Sequence, residues 1–380
     1  MDFELDEEMR MIRDTAREFA AAEVAPGAAD RDASEEFPLE AFKAAAEMGF
    51  TAVTVPEAYG GAELGNVALA LILMEINAAC ASTGVTISVH NSLACESLIQ
   101  FGTEQQKRDY LTKLASGEWI GAYCLSEAGA GSDAAGLSCG ATADGDDFVI
   151  DGTKLWVTSA THAGFFIVFA RTSREGKPSR GITCFAVPAD TPGVRVSRKE
   201  DKLGLRASST CEVVFESVRV PASAVIGEVG QGFKVAMRLL DGGRIGIAAQ
   251  SVGIAKASLT ASIKYSKERH QFGRPIADFQ SIQFKLADMF ASIEAAELLT
   301  LRAAWLKDQG LPHGKEASAA KLFASQVAND CARDAVQIHG GAGYLVDFPV
   351  ERYMRDARIT QIYEGTSEIQ KVVIARALLS

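Results

Sequence analysis

Apolar residues recur every three or four positions through most of the first third of the chain, a spacing typical of amphipathic helices. The first predicted helix rests on the apolar positions Leu5, Met9, Ile12, Ala16 and Phe19. Residues 84–90 are rich in β-branched side chains and also fit a strand, but we interpret them as part of a buried helix. Further helices are predicted over residues 41–48, 67–81, 92–101 and 105–115, the last with Thr103 as its N-cap. Residues 1–118 are therefore predicted to form an α-helical domain.

The periodicity changes near Trp119. Short segments rich in β-branched and aromatic residues follow, separated by Gly, Pro and Asp, and such segments predict strands. The predicted strands cover residues 148–150, 154–158, 165–171, 182–187, 194–198 and 211–220. Many short strands at this spacing are typical of a small antiparallel barrel or sandwich. Residues 119–225 are therefore predicted to form a β domain.

The helical period returns at Gly230 and continues to the end of the chain. Long helices are predicted over residues 231–266, 276–309 and 316–338, with breaks at the Gly- and Pro-containing residues 273–275 and 310–312. The clearest apolar stripe consists of Ile282, Leu286, Met289 and Ile293. Long helices with short connections favour an up-and-down four-helix bundle, here over residues 226–380.

Composition narrows the class of protein. The chain of 380 residues carries a net charge of −11, so a nucleic-acid partner is not expected. Its seven cysteines are scattered without a C-x-x-C pair, which indicates neither a disulfide framework nor a zinc site, and we expect no bound metal. No apolar run is long enough to span a membrane, and the acidic N-terminus lacks a signal or transit pattern. These features predict a cytoplasmic protein, or one of an organelle matrix.

A carboxylate near the C-terminus is the first candidate for chemistry. Ser367, with Gln370 three residues later, has the form of a capping box, which predicts that the last helix starts there. Glu364 would then lie on a short turn before this helix, beside Gly365, where another molecule can approach the backbone. A carboxylate held between rigid helices yet accessible suits a general base. On these residues alone, a solvated glutamate in a loop is the simpler interpretation.

Three other segments contain residues suited to binding phosphate or a polar ring. The Gly- and Ser-rich residues 123–133 can present backbone N–H groups to such a ligand, or can be a flexible interdomain loop. Residues 337–344 combine a helix end with closely spaced glycines, either as an anion site or as an ordinary glycine cap; they lack the dinucleotide pattern G-x-G-x-x-G. Arg269 and Phe272 suit a pyrophosphate and a stacked base, or are a surface arginine and a core phenylalanine.

Together these segments resemble the acyl-CoA dehydrogenase family over nearly the whole chain. Residues 124–136 resemble the first signature of the family and residues 337–356 the second. Residues 156–159, residues 269–272 and residues 363–366 also stand in the family's order and spacing. Two departures are Ala128, where the family usually has Pro, and His339, which interrupts the Gly-rich run. The missing Pro would remove only backbone stiffness from the loop.

The resemblance implies a helical domain, a β domain and a four-helix bundle, with non-covalent FAD and a homotetramer built as a dimer of dimers. It implies that the flavin ring is bound by Tyr123, Leu125, Ser126, Ser132, Trp156 and Thr158, and from the other side by Thr366 and Glu368. It implies that FAD of the neighbouring subunit is contacted by Arg269, Phe272, Gln280, Gln337, Gly340 and Gly341. On the substrate side it implies Ser132, Asp241, Arg244 and Gly365.

The implied reaction is the α,β-dehydrogenation of an acyl-CoA to the trans-2-enoyl-CoA. Glu364 would remove the α-proton while hydride leaves the β-carbon for flavin N5, and an electron-transferring flavoprotein would accept the electrons. Some family members carry the base on the earlier bundle helix, but Gly243 precedes Arg244 here, which leaves Glu364 as the candidate. Gln250 and Thr360 resemble the floor of the acyl pocket in short-chain members, or are polar residues on helix surfaces. The alternatives are an acyl-CoA oxidase, a dehydrogenase for branched-chain or amino-acid-derived acyl-CoAs, and a catalytically silent family member.

Overall fold

Helices occupy both ends of the chain and strands its middle in the computed structural model, which describes residues 4–379. Residues 1–3, the acidic start noted above, and residue 380 lie outside that range. The helices before the sheet are α1 (Glu7–Phe19), α2 (Ala28–Ser34), α3 (Leu39–Glu47), α4 (Gly65–Ala79), α5 (Ala81–Val89), α6 (Glu96–Phe101), α7 (Glu104–Gln106) and α8 (Thr112–Ala115). The helical prediction for this part of the chain is confirmed.

Local sequence explains where several of these helices start. The Asp6 carboxylate caps α1 by accepting from the Met9 N–H at 2.8 Å. Thr103 and Gln106 form the capping box of α7, as the Thr103 prediction required. Residues 84–89 lie in α5 and His90 begins the helical segment that follows, which confirms the helical interpretation of this stretch. Every residue of α5 is buried, which explains why no amphipathic period marked it.

A mixed sheet forms the middle of the chain. Its strands are β1 (Ile120–Cys124), β2 (Gly140–Asp144), β3 (Asp147–Thr158), β4 (Ala163–Arg171), β5 (Ile182–Pro188), β6 (Val194–Lys199), β7 (Thr210–Pro221) and β8 (Val225–Ile226). The order is β6-β7-β3-β2-β4-β5-β8, and β1 pairs with β4. Neighbours are antiparallel as predicted, except that β1 runs parallel to β4, and β2 meets β4 at one parallel bridge.

The strands β1 and β2 were not predicted from the sequence. Both contain Gly and Ala, which have low β propensity and interrupt the strand pattern, although β1 also contains the strand-favouring Ile120 and Tyr123. In the fold, β1 packs so closely on the preceding helical segment that a Cβ at Gly121 would lie 2.3 Å from the Ala94 side chain. Tertiary contact therefore sets the strand that leads into the Gly-rich loop.

The C-terminal part contains the long helices of a bundle. A two-stranded ribbon, β9 (His270–Gln271) and β10 (Arg274–Pro275), interrupts them at the first predicted break. The helices are α9 (Gly232–Glu268), α10 (Gln280–Asp308), α11 (Gly314–His339), α12 (Val350–Ile359) and α13 (Ser367–Leu379). Met289 and Ile293 of the predicted stripe are each 3% exposed and pack in the bundle core.

The longest helix, α9, connects the three parts of the molecule. It packs against α4 and α5 on one side and against α10 and α11 on others. One apolar core joins the bundle to the N-terminal helices, and a second joins the sheet to α9, α11 and α12. The turn that carries Glu364 follows α12, and the neighbouring Tyr363 packs against the second of these cores. Among residues 4–379, no helix is long and apolar enough to cross a bilayer.

Candidate active site

The turn between α12 and α13 has an unusual backbone. Glu364 and Gly365 both have positive φ angles, 51° and 94°. Glycine adopts this left-handed conformation freely, whereas a residue with a Cβ, such as Glu364, requires its surroundings to compensate the cost. The Gln370 side-chain amide donates to the Glu364 carbonyl at 3.2 Å and to the Gly365 carbonyl at 2.8 Å. The turn is thus held from the first turn of α13.

The predicted capping box at Ser367 and Gln370 is wrong by one residue. Thr366 is the cap, because its hydroxyl accepts from the Ile369 N–H at 3.3 Å, and Ser367 is the first helical residue. Gln370 donates its amide to the turn instead of bonding back to Ser367. The predicted position of Glu364, on a short turn immediately before the last helix, is confirmed.

The Glu364 carboxylate points into the interior of the protein. Both of its oxygens are shielded from solvent and have no hydrogen-bond partner among residues 4–379. Across from it, on α9, a Cβ placed on Gly243 would lie 2.0 Å from Glu364 Oε2 and 3.2 Å from the Leu93 side chain. The missing side chain at Gly243 therefore makes the space that this carboxylate occupies.

Burial and two nearby cations set the pKa of Glu364. Burial raises the pKa of Glu364 to about 7, although the cations of Lys321 and Arg244 act in the opposite direction. Arg244 is 4% exposed and pairs with Asp241 at 2.6 Å. A buried carboxyl group with a pKa near neutrality can both take up and release a proton, which is what a general base requires.

Hydroxyl groups complete the surroundings of the carboxylate. The Tyr123 hydroxyl, from β1, is buried and has no hydrogen-bond partner within residues 4–379, and the charge of Glu364 adds to the effect of burial in raising the pKa of this tyrosine. The Tyr363 hydroxyl donates to the Gln250 side-chain oxygen, and the Gln250 amide donates to the Ala81 carbonyl at 3.2 Å. This chain of hydrogen bonds links the turn to α9 and α5.

Gln250 and Thr360 are both 0% exposed, so the interpretation as polar residues on helix surfaces is wrong. The Thr360 hydroxyl donates to the Ala357 carbonyl at 2.7 Å, which satisfies its donor within α12. Buried polar side chains of this kind are held in one orientation by their hydrogen bonds.

The loop after β1 is anchored by a buried ion pair. Lys154, 0% exposed on β3, donates to the Leu125 carbonyl at 3.0 Å and to Glu127 Oε1 at 2.7 Å. The Leu155 N–H donates to the Ser126 carbonyl at 2.9 Å, which joins the loop to the same strand.

The hydrogen bond between Leu155 and Ser126 places the predicted loop residues Leu125 and Ser126 near the segment of β3 that carries Trp156 and Thr158. Trp156 is 55% exposed and has a φ of 57° at an irregularity of β3. Ser132 is exposed farther along the loop.

The remaining predicted cofactor residues lie at the far end of the bundle. Arg269 and Phe272 follow α9, and Phe272 is 94% exposed, so its interpretation as a core residue is wrong. Gln280 starts α10, and Gln337, Gly340 and Gly341 lie at the end of α11, all exposed. Residues 269 and 243 are roughly 39 Å apart along α9 at about 1.5 Å per residue. Because Gly243 lies beside Glu364, the residues at this end of the bundle are far from the Glu364 of the same chain.

His339, the departure within the Gly-rich run, is a buried residue at that far end. Its ring stacks on Tyr265 with centroids 4.2 Å apart, and its Nδ1–H donates to the Ala335 carbonyl at 2.8 Å. The histidine thus ties the end of α11 to α9, and Gly340 follows with a φ of 59° as the helix cap.

Comparison with protein families now decides the class of protein. Models of the acyl-CoA dehydrogenase N-terminal, middle and C-terminal domains match residues 6–118, 122–218 and 230–379. The chain belongs to the acyl-CoA dehydrogenase family.

Relatives and solved structures agree with this assignment. A mitochondrial short-chain specific acyl-CoA dehydrogenase of Rattus norvegicus is 50% identical over 99% of this chain and 91% of the relative. The short-chain specific enzyme of Clostridium acetobutylicum is 46% identical over 99% of both chains. The butyryl-CoA dehydrogenase structure from Megasphaera elsdenii superposes with a TM-score of 0.98, 42% identity and full coverage of both chains. A chain from a study of the electron-transferring flavoprotein of Acidaminococcus fermentans has the same TM-score, 44% identity and full coverage of both chains.

Acyl-CoA dehydrogenases are FAD-dependent, and this acyl-CoA dehydrogenase has a surface that fits the flavin. Gly129 and Gly131 leave open space on the loop, because a Cβ on either would meet nothing within 4 Å. Three residues after the exposed Trp156, the Ser159 hydroxyl is buried without a hydrogen-bond partner among the described residues. An open loop, an exposed ring and an unpaired hydroxyl together suit a flat, polar-edged ligand.

Two buried lysines of this acyl-CoA dehydrogenase, Lys154 and Lys321, were missed by sequence reasoning. A lone lysine is usually solvated, so neither attracted attention. A signal exists for Lys321, because it lies in the apolar stripe of α11 that includes Ala317, Ala320 and Ala324. A charge inside such a stripe is a reason to look for a buried partner.

Proposed function

We propose that this acyl-CoA dehydrogenase oxidises a short, straight-chain acyl-CoA to the trans-2-enoyl-CoA with Glu364 as the catalytic base. The observation that carries the proposal is the buried carboxylate of Glu364. It lies beside Gly243 without a hydrogen-bond partner among the described residues, and its pKa is raised to about 7. A group in this state is matched to proton removal near neutral pH.

The chain's own residues account for the proton transfer. An α-proton next to a thioester is too weakly acidic for a carboxylate in water, so the carbonyl oxygen has to be polarised, here by the backbone N–H of Glu364. The carboxylate oxygens are already shielded from water beside Leu93 and Gly243, and this burial strengthens the base. FAD, when bound, supplies the acceptor for the two electrons that the reaction releases. Leu125, Ser126, Trp156 and Thr366 would hold its ring beside this turn.

The substrate class follows from the buried polar residues at the inner end of the site. Gln250 is bonded to both Tyr363 and Ala81, so it cannot swing away without breaking hydrogen bonds in the interior. With Thr360 it would close the acyl pocket after a short chain. The relatives named as short-chain specific and butyryl-CoA dehydrogenases support this substrate.

Electron transfer and assembly belong to the same proposal. The similarity to a chain from the Acidaminococcus fermentans study supports an electron-transferring flavoprotein as the acceptor. The distance between Glu364 and the group at Arg269 supports FAD binding across two copies of the chain. Exposed apolar side chains on α10, among them Phe284 and Phe290 at 58% each, are suited to contacts between copies within a dimer-of-dimers homotetramer.

The catalytic assignment is tested with Glu364→Gln. We expect the variant to retain FAD and its fold but to lose at least about 10²-fold in the rate of anaerobic flavin reduction by butyryl-CoA, because amide cannot take the α-proton. The control is Glu40→Gln, an exposed carboxylate that pairs with Lys43 on the surface. Flavin reduction by Glu364→Gln at the wild-type rate would place the base elsewhere.

The substrate class is tested with a series of acyl-CoAs from butyryl to palmitoyl. In an open apolar pocket, each added CH₂ contributes about 0.8 kcal/mol, so kcat/KM would rise about fourfold per carbon. With Gln250 and Thr360 closing the pocket, kcat/KM should stop rising at butyryl- or hexanoyl-CoA and then fall, since longer chains have to displace packed side chains. A continued rise to dodecanoyl-CoA, or a preference for isobutyryl- or isovaleryl-CoA, would contradict the assignment.

Rapid peroxide formation during turnover would indicate an oxidase instead.

A further inference from the structure

Lys321 is a buried cation in the interior of the bundle. It lies on α11, its side chain is 0% exposed, and its neighbours Ala317, Ala320 and Ala324 are buried alanines. Removing an ammonium group from water is costly unless the protein supplies a strong acceptor. The helix therefore carries this charge at a position where alanine would pack without that cost.

The acceptor is the backbone of the Glu364 turn. Lys321 Nζ donates to the Gly365 carbonyl at 2.6 Å, a short charge-assisted hydrogen bond. The Gln370 amide donates to the same carbonyl at 2.8 Å. Two donors, one from α11 and one from α13, thus fix the Gly365–Thr366 peptide, next to Glu364 and Gly365, whose positive φ angles of 51° and 94° need external support at Glu364.

The charge of Lys321 also reaches the carboxylate, without a direct pair. Two cations on neighbouring helices act on Glu364, Arg244 on α9 and Lys321 on α11, and the Glu364 charge in turn raises the pKa of the buried hydroxyls of Tyr123 and Tyr363. Among residues 4–379, no ion pair joins Lys321 to Glu364, and both carboxylate oxygens remain without hydrogen bonds. The charge of Glu368, on α13, also acts on Lys321 and raises the pKa of this lysine.

An unpaired cation of this kind differs from a salt bridge in one respect. A cation bonded to the carboxylate would occupy its lone pairs and hold it away from a substrate proton. A cation bonded to the Gly365 carbonyl favours the ionised carboxylate through space and leaves the carboxylate oxygens without a hydrogen bond from Lys321.

We propose that Lys321 is a positioning residue for the base: it holds the turn through the Gly365 carbonyl and keeps a positive charge beside Glu364 without pairing with it. The proposed role rests on Glu364 being the base. Arg244 differs from Lys321 because its guanidinium is already paired with Asp241 at 2.6 Å.

The protonation states agree with this role. Burial lowers the pKa of Lys321 to about 8, while Glu364 acts to raise it, so the ammonium is still present at neutral pH. Burial raises the pKa of Glu364 to about 7, and Lys321 acts to lower it. Loss of the Lys321 charge should therefore raise the pKa of Glu364 further and leave less of the base ionised at neutral pH.

The test compares Lys321→Met with the wild-type holoenzyme. The ionisation of Glu364 is followed by infrared titration of its carboxyl band, which is identified by its loss in Glu364→Gln. We expect the midpoint in Lys321→Met to lie higher by about one pH unit or more. The pH at which anaerobic flavin reduction by butyryl-CoA is half-maximal should rise by the same amount. Lys315→Met, an exposed lysine of the same helix that pairs with Glu316, is the control and should leave both midpoints unchanged.

Two further variants separate charge from packing. Lys321→Gln keeps a hydrogen-bond donor but removes the charge, so it should raise the midpoint as Lys321→Met does. Lys321→Arg, which keeps the charge, should leave the midpoint near wild type while flavin reduction slows, because the guanidinium cannot donate from the same point. If Lys321→Met and Lys321→Gln keep the wild-type midpoint, the proposal is wrong and Lys321 only supports the fold.

Failure of this inference is distinct from failure of the proposed function. The infrared midpoint reports the ionisation of Glu364 whether or not that group removes the substrate proton. A wild-type rate in Glu364→Gln would overturn the assignment of the base. A normal midpoint in Lys321→Met, together with an inactive Glu364→Gln, would overturn only the role of Lys321.

Discussion

At the scale of single residues, the site depends on a side chain that is present and one that is absent. Glu364 carries a buried carboxylate whose oxygens have no hydrogen-bond partner among residues 4–379, which costs stability and keeps the group reactive. Gly243 supplies the volume for it, since any Cβ there would lie 2.0 Å from Oε2. The two positions are coupled through space although they lie on α9 and on the turn before α13.

Gly243→Ala should therefore reduce catalysis while leaving the fold intact. Alanine favours a helix over glycine by up to about 1 kcal/mol, so α9 itself is not expected to suffer. The added methyl group would push the carboxylate aside, and a displacement of about 1 Å can cost about 10²-fold in rate. The measurement is single-turnover flavin reduction by butyryl-CoA, alongside thermal unfolding.

The control for Gly243→Ala is the neighbouring substitution Gly242→Ala. Its Cβ would approach the flexible end of Lys307, at 2.7 Å, and not Glu364. Flavin reduction in Gly242→Ala should stay close to wild type. Equal losses in the two variants would point to a general effect on α9 and against steric displacement of the carboxylate.

At the scale of elements, β3 fixes the loop that follows β1. Lys154 is bonded to both the Leu125 carbonyl and Glu127. Glu127 also accepts from the Ser138 N–H at 2.6 Å and the Cys139 N–H at 3.0 Å, so one carboxylate ties both ends of the loop to the strand. Ala128 stands in this loop without the stiffness that Pro would add, which makes the buried pair more important for its shape.

Lys154→Met should destabilise the protein and weaken FAD retention together. Methionine fills the space but leaves Glu127 buried without its cation, which typically costs about 3–5 kcal/mol. Urea unfolding and the flavin content after gel filtration measure the two effects. The control is Arg195→Met, which removes an exposed ion pair with Glu216 and should lower the free energy of unfolding by less than about 1 kcal/mol. A Lys154→Met protein as stable as Arg195→Met and fully loaded with FAD would show that the loop does not need the pair.

At the scale of the whole molecule, the proposed FAD site is divided between two regions. Residues near Glu364 and β3 would hold the flavin ring, whereas Arg269 and Phe272 project from the far end of α9. An exposed guanidinium and a 94% exposed aromatic ring at that end are suited to a ligand held by another copy of the chain.

FAD retention should therefore depend on assembly. Arg269→Ala should weaken FAD binding by roughly 1.5–3 kcal/mol, the contribution of one hydrogen bond to a charged group. Arg333→Ala, which removes an exposed arginine paired with Asp330 on α11, should leave FAD affinity unchanged. The measurement is the apparent Kd for FAD, with the oligomeric state followed by sedimentation. A monomer that binds FAD as tightly as the assembly would rule out sharing between copies.

The order of helices, strands and helices could be predicted from the sequence, because hydrophobic periodicity is a local property of the chain. The position of Glu364 on a turn before α13 was predictable for the same reason, since a Gly and hydroxyl residues precede an apolar helical pattern. Its role as base came from the family resemblance and not from the turn itself.

Tertiary structure alone decided the features that join distant parts of the chain. The strand β1 pairs in parallel with β4 and packs Gly121 closely on Ala94, and these contacts join residues that are distant in the sequence. The cap of α13 is Thr366 and not Ser367, because the left-handed turn is held by Lys321 and Gln370. The environment of Glu364 depends on α9, α11 and β1, which periodicity does not position relative to one another. For Lys154 no sequence pattern indicated burial, and even for Lys321, which lies in an apolar stripe, only the tertiary structure showed which group accepts its hydrogen bond.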